Sequence, residues 1–197
     1  DAVWILVPNH ARLETMRAIR DFALANPGVL RAVACEKPLA RTVREAEEML
    51  ALVKEAGLLH GYLENQLFAT AVARGKAILW ERAASVSGAP YIARATEEHS
   101  GPHEPWFWQG ERQGGGVLLD MMCHSVEVAR FLLTAPGATR DTLTPKSANG
   151  TIATLKWNRP DYARSLTMSM GADVDYLKRP TEDFARGTVI MTREDGT

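Results

Sequence analysis

Two residues four apart in the chain, Asp120 and His124, follow a run of three glycines, Gly114-Gly115-Gly116. On a continuous helix that spacing stacks the two side chains on one face. Glu127 and Phe131 extend the same row, while Leu118, Met121, Ser125, Val128 and Leu132 form an apolar row beside it. An apolar stripe is normally buried, which puts Asp120 and His124 at the edge of the buried surface. A carboxylate beside an imidazole there is an acid/base pair, because the carboxylate orients the ring and stabilises its protonated form. The same spacing is also found in ordinary helix-surface contacts, so a second motif has to support the reading. Metal ligation is the competing chemistry: His99, His103, Cys123, His124 and Asp120 are all suitable ligand types. A Gly-Pro lies between His99 and His103, however, so they are not a helical pair, and no compact zinc motif is present. The expectation is that no metal site exists, with a metal-dependent enzyme using His99, His103 and His124 as the alternative.

The elements that would position these residues start at the amino end. Residues 2–7 are continuously apolar, as in a parallel strand covered on both faces, until Pro8-Asn9-His10 breaks the run. Residues 13–25 read as a helix with Met16, Ile19, Phe22 and Ala23 on one face, ended by Asn26-Pro27-Gly28. A second apolar strand over 30–35 runs into Glu36-Lys37-Pro38, which completes a βαβ unit. Thr42-Val43-Arg44-Glu45 is a capping box. It opens a helix with Ala46, Met49, Leu50 and Val53 inward and Gly57 as its stop. A third strand over 58–63 ends at Glu64-Asn65-Gln66. Residues 1–65 therefore read as the C-terminal portion of a Rossmann-type parallel sheet. In such sheets ligands lie at the carboxyl ends of the strands, here Pro8-Asn9, Glu36-Lys37-Pro38 and Glu64-Asn65.

Residues 66–197 read as a second, α+β domain with a mainly antiparallel sheet, incomplete at its C-terminus. The pattern predicts a long helix over 67–86 with Val72, Ile78 and Leu79 buried, then a strand over 91–95. A polar, aromatic loop over 99–108 and the helix carrying Asp120 and His124 follow. Residues 134–147 are turn-rich, and alternation in Ala153-Leu155-Trp157, Leu166-Met168-Met170 and Val189-Met191 predicts strands with one covered face.

The chain has 197 residues, 46% of them hydrophobic, enough for a sizeable core. A net charge of -1, from 23 basic and 24 acidic residues, gives no reason to expect nucleic acid or an acidic membrane as partner. Two cysteines, Cys35 and Cys123, are too few for a disulfide framework and fit a reducing, cytoplasmic setting. No run is long enough to span a membrane. The first residues already read as a buried strand, and Arg193-Glu194-Asp195-Gly196-Thr197 stop on a turn signal. The chain is therefore expected to be an internal fragment whose incomplete sheet edge favours aggregation.

Pro8-Asn9, Glu36-Lys37-Pro38-Leu39-Ala40, Glu64-Asn65-Gln66 and Gly114-Gly115-Gly116 with Asp120-x-x-x-His124 together resemble the Gfo/Idh/MocA family. These are NAD(P)-dependent oxidoreductases that include glucose–fructose oxidoreductase and inositol dehydrogenase. The resemblance covers residues 1 to about 133 and continues weakly beyond. It implies hydride transfer to or from a sugar, inositol or related polyol, with NAD or NADP as cofactor. It also implies homo-oligomers associating through the open face of the second-domain sheet. By resemblance Lys37 reaches the nicotinamide ribose and the substrate hydroxyl, Pro38 stands in a cis peptide, and Pro8 and Asn9 form the turn beside the cofactor. Asp120 and His124 match the family's catalytic aspartate and histidine, the histidine accepting the proton when an alcohol is oxidised.

Alcohol oxidation needs a hydride acceptor and a base for the hydroxyl proton. His124 suits the base, and Lys37 can polarise the oxygen. The cofactor-binding candidates are Pro8, Asn9, Glu36, Lys37 and Pro38. The substrate-binding candidates are Asn65, Arg94, Trp106 and Trp108, the two indoles by stacking on sugar faces, though both also suit domain packing. This chain departs from the family pattern in having Met122 where glycine is frequent, Arg12 where histidine is frequent, and Glu127 where aspartate is frequent. The Gly-x-Gly-x-x-Gly fingerprint is absent from these residues. A non-catalytic, ligand-sensing member of the same fold is the remaining alternative.

Overall fold

The computed structural model describes residues 1–98, 101, 104–156, 159–170 and 182–193. His99, His103 and Trp157, named above, lie outside the described residues, as does the turn signal over 194–197.

Apolar runs interleaved with helical periodicity along residues 1–63 yield β1 (Ala2–Ile5), α1 (Arg12–Ala25), β2 (Ala32–Glu36), α2 (Val43–Glu55) and β3 (Leu59–Leu63). The three strands form a parallel sheet in the order β1-β2-β3. Its register pairs Ile5 with Cys35 and Cys35 with Tyr62. Helices α1 and α2 cover one face. Ile5, Val33 and Cys35 from the strands meet Met16, Ile19 and Ala23 of α1 and Met49, Leu52 and Val53 of α2 in a single buried cluster. The opposite face is open, with Trp4 and Leu59 each 71% exposed. Strands covered on both faces are thus a correction: one face is covered. Phe22 and Leu50 also turn outward, at 48% and 41% exposed, and Leu52 takes the inward place expected of Leu50.

The capping box over 42–45 forms in part. Thr42 Oγ1 accepts from the Glu45 N–H at 3.1 Å. The Glu45 carboxylate turns one residue further back, to the Arg41 N–H at 3.1 Å and the Arg41 guanidinium. Gly57 stops α2 at φ +63°, a conformation natural to glycine.

Two compact units result. The first holds Asp1–Leu63, Ser100–Asp120 and Ala153–Phe184; the second holds Glu64–His99, Met121–Ile152 and Ala185–Thr197. The second contains a 3-10 turn at Asn65–Phe68, α3 (Thr70–Ile78), a π-helical turn at Leu79–Ala83 and α4 (Ala84–Ser87). Helical structure thus runs through most of 67–86, but Ile78 is 46% exposed rather than buried. Residues 91–95 are not a strand: they carry no regular structure, and Tyr91 and Ile92 are 79% and 59% exposed. Two β-branched or aromatic residues in a row give strand propensity, but a strand also needs a hydrogen-bonded neighbour.

Beyond the 3-10 turn Pro105–Trp108 come α5 (Gly110–Gln113), α6 (Gly116–Asp120), α7 (Met122–Leu133), β4 (Leu143–Ala153), α8 (Pro160–Met170) and β5 (Phe184–Arg193). β4 and β5 pair with each other. The ladder runs antiparallel: Asp183 N–H donates to Ala153 O, while Gly150 faces Arg186 O. The expected strand over 166–170 is helix instead. Pro160 opens it, and Ala163 packs with Tyr162 and Leu166 against Trp108, a helical spacing that overrides the alternation of Leu166 and Met168. β4 also ends at Ala153, so Leu155, 63% exposed, lies past the strand.

Candidate functional site

In the first unit, β2 ends at Glu36 and delivers Lys37 at the carboxyl edge of the sheet. Lys37 Nζ donates to Asp120 Oδ1 at 2.9 Å and to the Asp120 backbone carbonyl at 3.0 Å. Both side chains are mostly buried, at 18% and 12% exposed. The Lys37–Pro38 peptide is cis, as the family resemblance implies. Arg12, 4% exposed, holds this strand end. Its guanidinium donates to the carbonyls of Val7 at 3.1 Å, Glu36 at 2.9 Å and Lys37 at 3.0 Å. Burial pushes the Arg12 pKa down, opposed by the nearby Cys35 and Glu36. Where the family often has histidine, this chain thus has a cation that ties the ends of β1 and β2 together.

The glycine run sets where Asp120 falls. Gln113, 1% exposed, folds its amide over the turn: Oε1 accepts from Gly115 N–H at 2.7 Å and Gly116 N–H at 2.6 Å, and Nε2 donates to Gly116 O at 3.1 Å. Asn9 Nδ2 donates to Gln113 O at 2.8 Å, so the Pro8-Asn9 turn is fastened to the turn before α6. Gly114 and Gly116 adopt φ of +108° and +53°.

The expected continuous helix through Asp120 and His124 is corrected here. α6 ends at Asp120, α7 begins at Met122, and the His124 N–H donates to Met121 O at 3.1 Å. A continuous helix would join the His124 N–H to the Asp120 carbonyl; that carbonyl accepts from Lys37 instead. Asp120's carboxylate is accordingly Lys37's partner. The carboxylate on the His124 ring belongs to Glu64.

In the second unit His124, 5% exposed, places Nδ1 2.6 Å from Glu64 Oε1. Glu64 is 2% exposed and also caps the 3-10 turn after β3, with Oε1 accepting from the Gln66 N–H at 3.1 Å. A buried carboxylate on one ring nitrogen fixes the tautomer and orientation and stabilises the imidazolium. Arg140 pairs with Glu127, the family's frequent aspartate position. Met122 is accommodated by Gly187 of β5, where an added Cβ would stand 3.1 Å from Met122 Cε.

The remaining candidates separate clearly. Pro8 opens the 3-10 turn Asn9–Ala11, and Asn9 is 2% exposed with Oδ1 lacking a hydrogen-bond partner. Glu36 gives its carbonyl to Arg12. Asn65 and Arg94 are exposed. Trp106, half-buried, stacks on Phe107 with ring centroids 3.8 Å apart and meets His10 edge-on. Trp108 is 2% exposed in the cluster with Ala163, so its substrate-binding assignment is corrected to core packing: a ring closed in on itself has no face for a sugar.

A family profile described as an oxidoreductase family with an NAD-binding Rossmann fold matches residues 1–64. A second, described as the GFO/IDH/MocA C-terminal domain, matches residues 83–188. The chain belongs to the Gfo/Idh/MocA oxidoreductase family. Among its relatives, the 1,5-anhydro-D-fructose reductase of Ensifer adhaerens is 34% identical over 143 residues, 68% of this chain and 38% of the relative. The levoglucosan dehydrogenase of Pseudarthrobacter phenanthrenivorans is 31% identical over 134 residues, 66% of this chain and 32% of the relative. The chain thus spans well under half the length of these Gfo/Idh/MocA relatives. Similar solved structures include a levoglucosan dehydrogenase in complex with NADH and levoglucosan, at a TM-score of 0.61 and 22% identity over 96% of this chain and 44% of that one. An aldose-aldose oxidoreductase from Caulobacter crescentus complexed with glycerol gives 0.64 and 18% over 100% and 48%. At these identities the likeness concerns the fold.

Sequence reasoning placed Glu64 at a strand end without pairing it with His124, and it did not single out Gln113 as the clasp of the glycine turn or Arg12 as the tie between the strand ends. Glu64 carried a signal, its position at a parallel strand's carboxyl end. Arg12 stood out only as a departure, and Gln113 had no signal beyond preceding three glycines.

Proposed function

We propose that the protein carrying this chain is an NAD(P)-dependent dehydrogenase or reductase acting on a sugar, inositol or related polyol. The buried Glu64–His124 pair carries the reading, in a chain whose family is an NAD-binding oxidoreductase family. In the oxidising direction His124 accepts the substrate's hydroxyl proton, and Glu64 stabilises the imidazolium that forms. The Lys37 ammonium, oriented by Asp120, donates to the substrate oxygen and stabilises its developing negative charge. In reduction the same groups run in reverse, His124 returning the proton.

Pro8, Asn9, Glu36, Lys37 and Pro38 would hold the nicotinamide cofactor. Asn9 supports that fit, since its buried Oδ1 has acceptor capacity the protein leaves unused. When bound, the cofactor supplies the hydride acceptor or donor. Trp106, Asn65 and Arg94 are the proposed substrate contacts. Assembly through the β4–β5 sheet belongs to this reading, supported by Ile152 and Ile190, 48% and 57% exposed.

The test is turnover of His124→Ala in the active enzyme with a panel of sugars and inositols, followed by NAD(P)H absorbance. Turnover should fall by about 10²-fold or more with the fold intact by circular dichroism. Near-normal turnover would refute His124 as the proton carrier.

A further inference from the structure

The proposed chemistry uses only one oxygen of Glu64. Oε1 serves the Gln66 N–H and the His124 ring, while Oε2 is buried with no hydrogen-bond partner. A carboxylate oxygen left in that state is costly, because burial removes its water and nothing replaces it. The residue before His124 is Cys123, half-buried and outside any disulfide. One donor atom from each of Glu64, Cys123 and His124 lies within 4.8 Å of the others, and all three residues belong to the second unit.

Oxygen, sulfur and nitrogen donors together select a borderline-soft ion. Ca²⁺ and Mg²⁺ take oxygen ligands, whereas Zn²⁺ accepts thiolate, imidazole and carboxylate in one tetrahedral shell. Three protein ligands leave a fourth position for water. We propose that Glu64, Cys123 and His124 form a reversible site for a zinc-class divalent cation. Resting on the role given to His124 above, the ion competes with the base by occupying the imidazole. On binding, the Cys123 thiol proton and the proton held between His124 and Glu64 leave to solvent, and no electrons move. Bonds of about 2.0–2.3 Å require donor atoms roughly 3.3–3.7 Å apart. The ligands must therefore draw together, while the 2.6 Å Nδ1–Oε1 contact opens. That rearrangement and the open fourth position make the site weaker than a closed four-ligand zinc centre.

The purified, reduced, metal-free protein is titrated with Co²⁺ alone, with neither substrate nor cofactor present. A thiolate-to-cobalt charge-transfer band should grow to one equivalent and be bleached by Zn²⁺. Cys123→Ser should abolish the band, Glu64→Gln should weaken Co²⁺ binding at least tenfold, and Cys35→Ser should leave it unchanged. In case Cys123→Ser unfolds, iodoacetamide labelling of the unaltered protein supplies a second readout: Zn²⁺ should slow modification of Cys123, mapped by peptide mass spectrometry. No charge-transfer band, a band that survives in Cys123→Ser or is lost in Cys35→Ser, or labelling of Cys123 indifferent to Zn²⁺ would each overturn the site. Failure here leaves the His124→Ala turnover test untouched, and normal turnover in that variant leaves the Co²⁺ result standing.

Discussion

His124 Nδ1 lies 2.6 Å from Glu64 Oε1, with the two side chains 7% and 1% exposed. In Glu64→Gln the amide keeps the shape but loses the charge, so the imidazolium loses its counterion and the ring its fixed tautomer. Turnover should fall by about 10²-fold, chiefly in kcat, because the carboxylate acts on the transition state rather than on substrate binding. Steady-state kinetics across pH provides the check. A change confined to KM, with kcat and its pH profile intact, would show that Glu64 plays no part in the proton transfer.

Lys37 and Asp120 form an ion pair with both partners largely out of water. Removing one leaves the other charge stranded, which costs more than the pair itself contributes. Lys37→Ala should therefore lower stability by about 2 kcal/mol as well as abolish most turnover. Lys37→Ala combined with Asp120→Ala should regain much of the stability and none of the turnover. Urea unfolding and kinetics on the unaltered protein and these two variants separate the two effects. Equal stability of the single and double variants would mean that Asp120 is not left stranded.

Local signals made the first 63 residues legible. Thr42 caps α2 as its motif demands, Gly57 takes the positive φ that ends it, and the apolar runs over 2–7 and 30–35 hold Ile5, Val33 and Cys35, which pack on α1 and α2. Lys37 and Asp120 are 83 residues apart, and their pairing was not read from the sequence because it depends on where the glycine turn places α6. The same contact explains why Asp120 and His124, helically spaced, are not one helix: Lys37 takes the carbonyl that a continuous helix would use. Spacing rules presume an unbroken backbone hydrogen-bond ladder, and a buried ammonium was outside their reach. Leu166 and Met168 failed for a simpler reason, since five residues fit both periods and only Trp108 decides between them.

Two of the three glycines before Val117, Gly114 and Gly115, differ sharply in what they tolerate. At Gly114, with φ +108°, an added Cβ would stand 2.8 Å from Arg41 Cβ and 2.9 Å from its Cα. Gly114→Ala combines a left-handed backbone with a collision and should cost about 2–3 kcal/mol. At Gly115 the same methyl meets Leu119 Cβ at 3.3 Å with no positive φ, so Gly115→Ala should cost well under half as much. Gly75, inside α3 with nothing within 4 Å, should gain stability as Ala, by about 0.5–1 kcal/mol. Thermal melts of the three variants test the order, and equal losses at Gly114 and Gly115 would contradict it.

Cys35 provides a pH signature that is independent of catalysis. Burial pushes its thiol above the ordinary value of 9.0, Glu36 adds to the rise, and Arg12 opposes it. The folded state therefore holds the thiol proton at pH values where the unfolded chain has released it. The sign follows: this contribution is fully present below the unfolded pKa and is lost as pH rises through the folded one. Below about pH 8 the protein and its Cys35→Ala variant should differ by a constant amount, set by the lost packing of one sulfur. Above about pH 9 ionisation of the unfolded thiol draws only the unaltered protein toward unfolding, so the gap should close. Urea midpoints measured from neutral to alkaline pH decide it, since a gap that stays constant throughout would mean that folding leaves the Cys35 thiol's affinity for its proton unchanged.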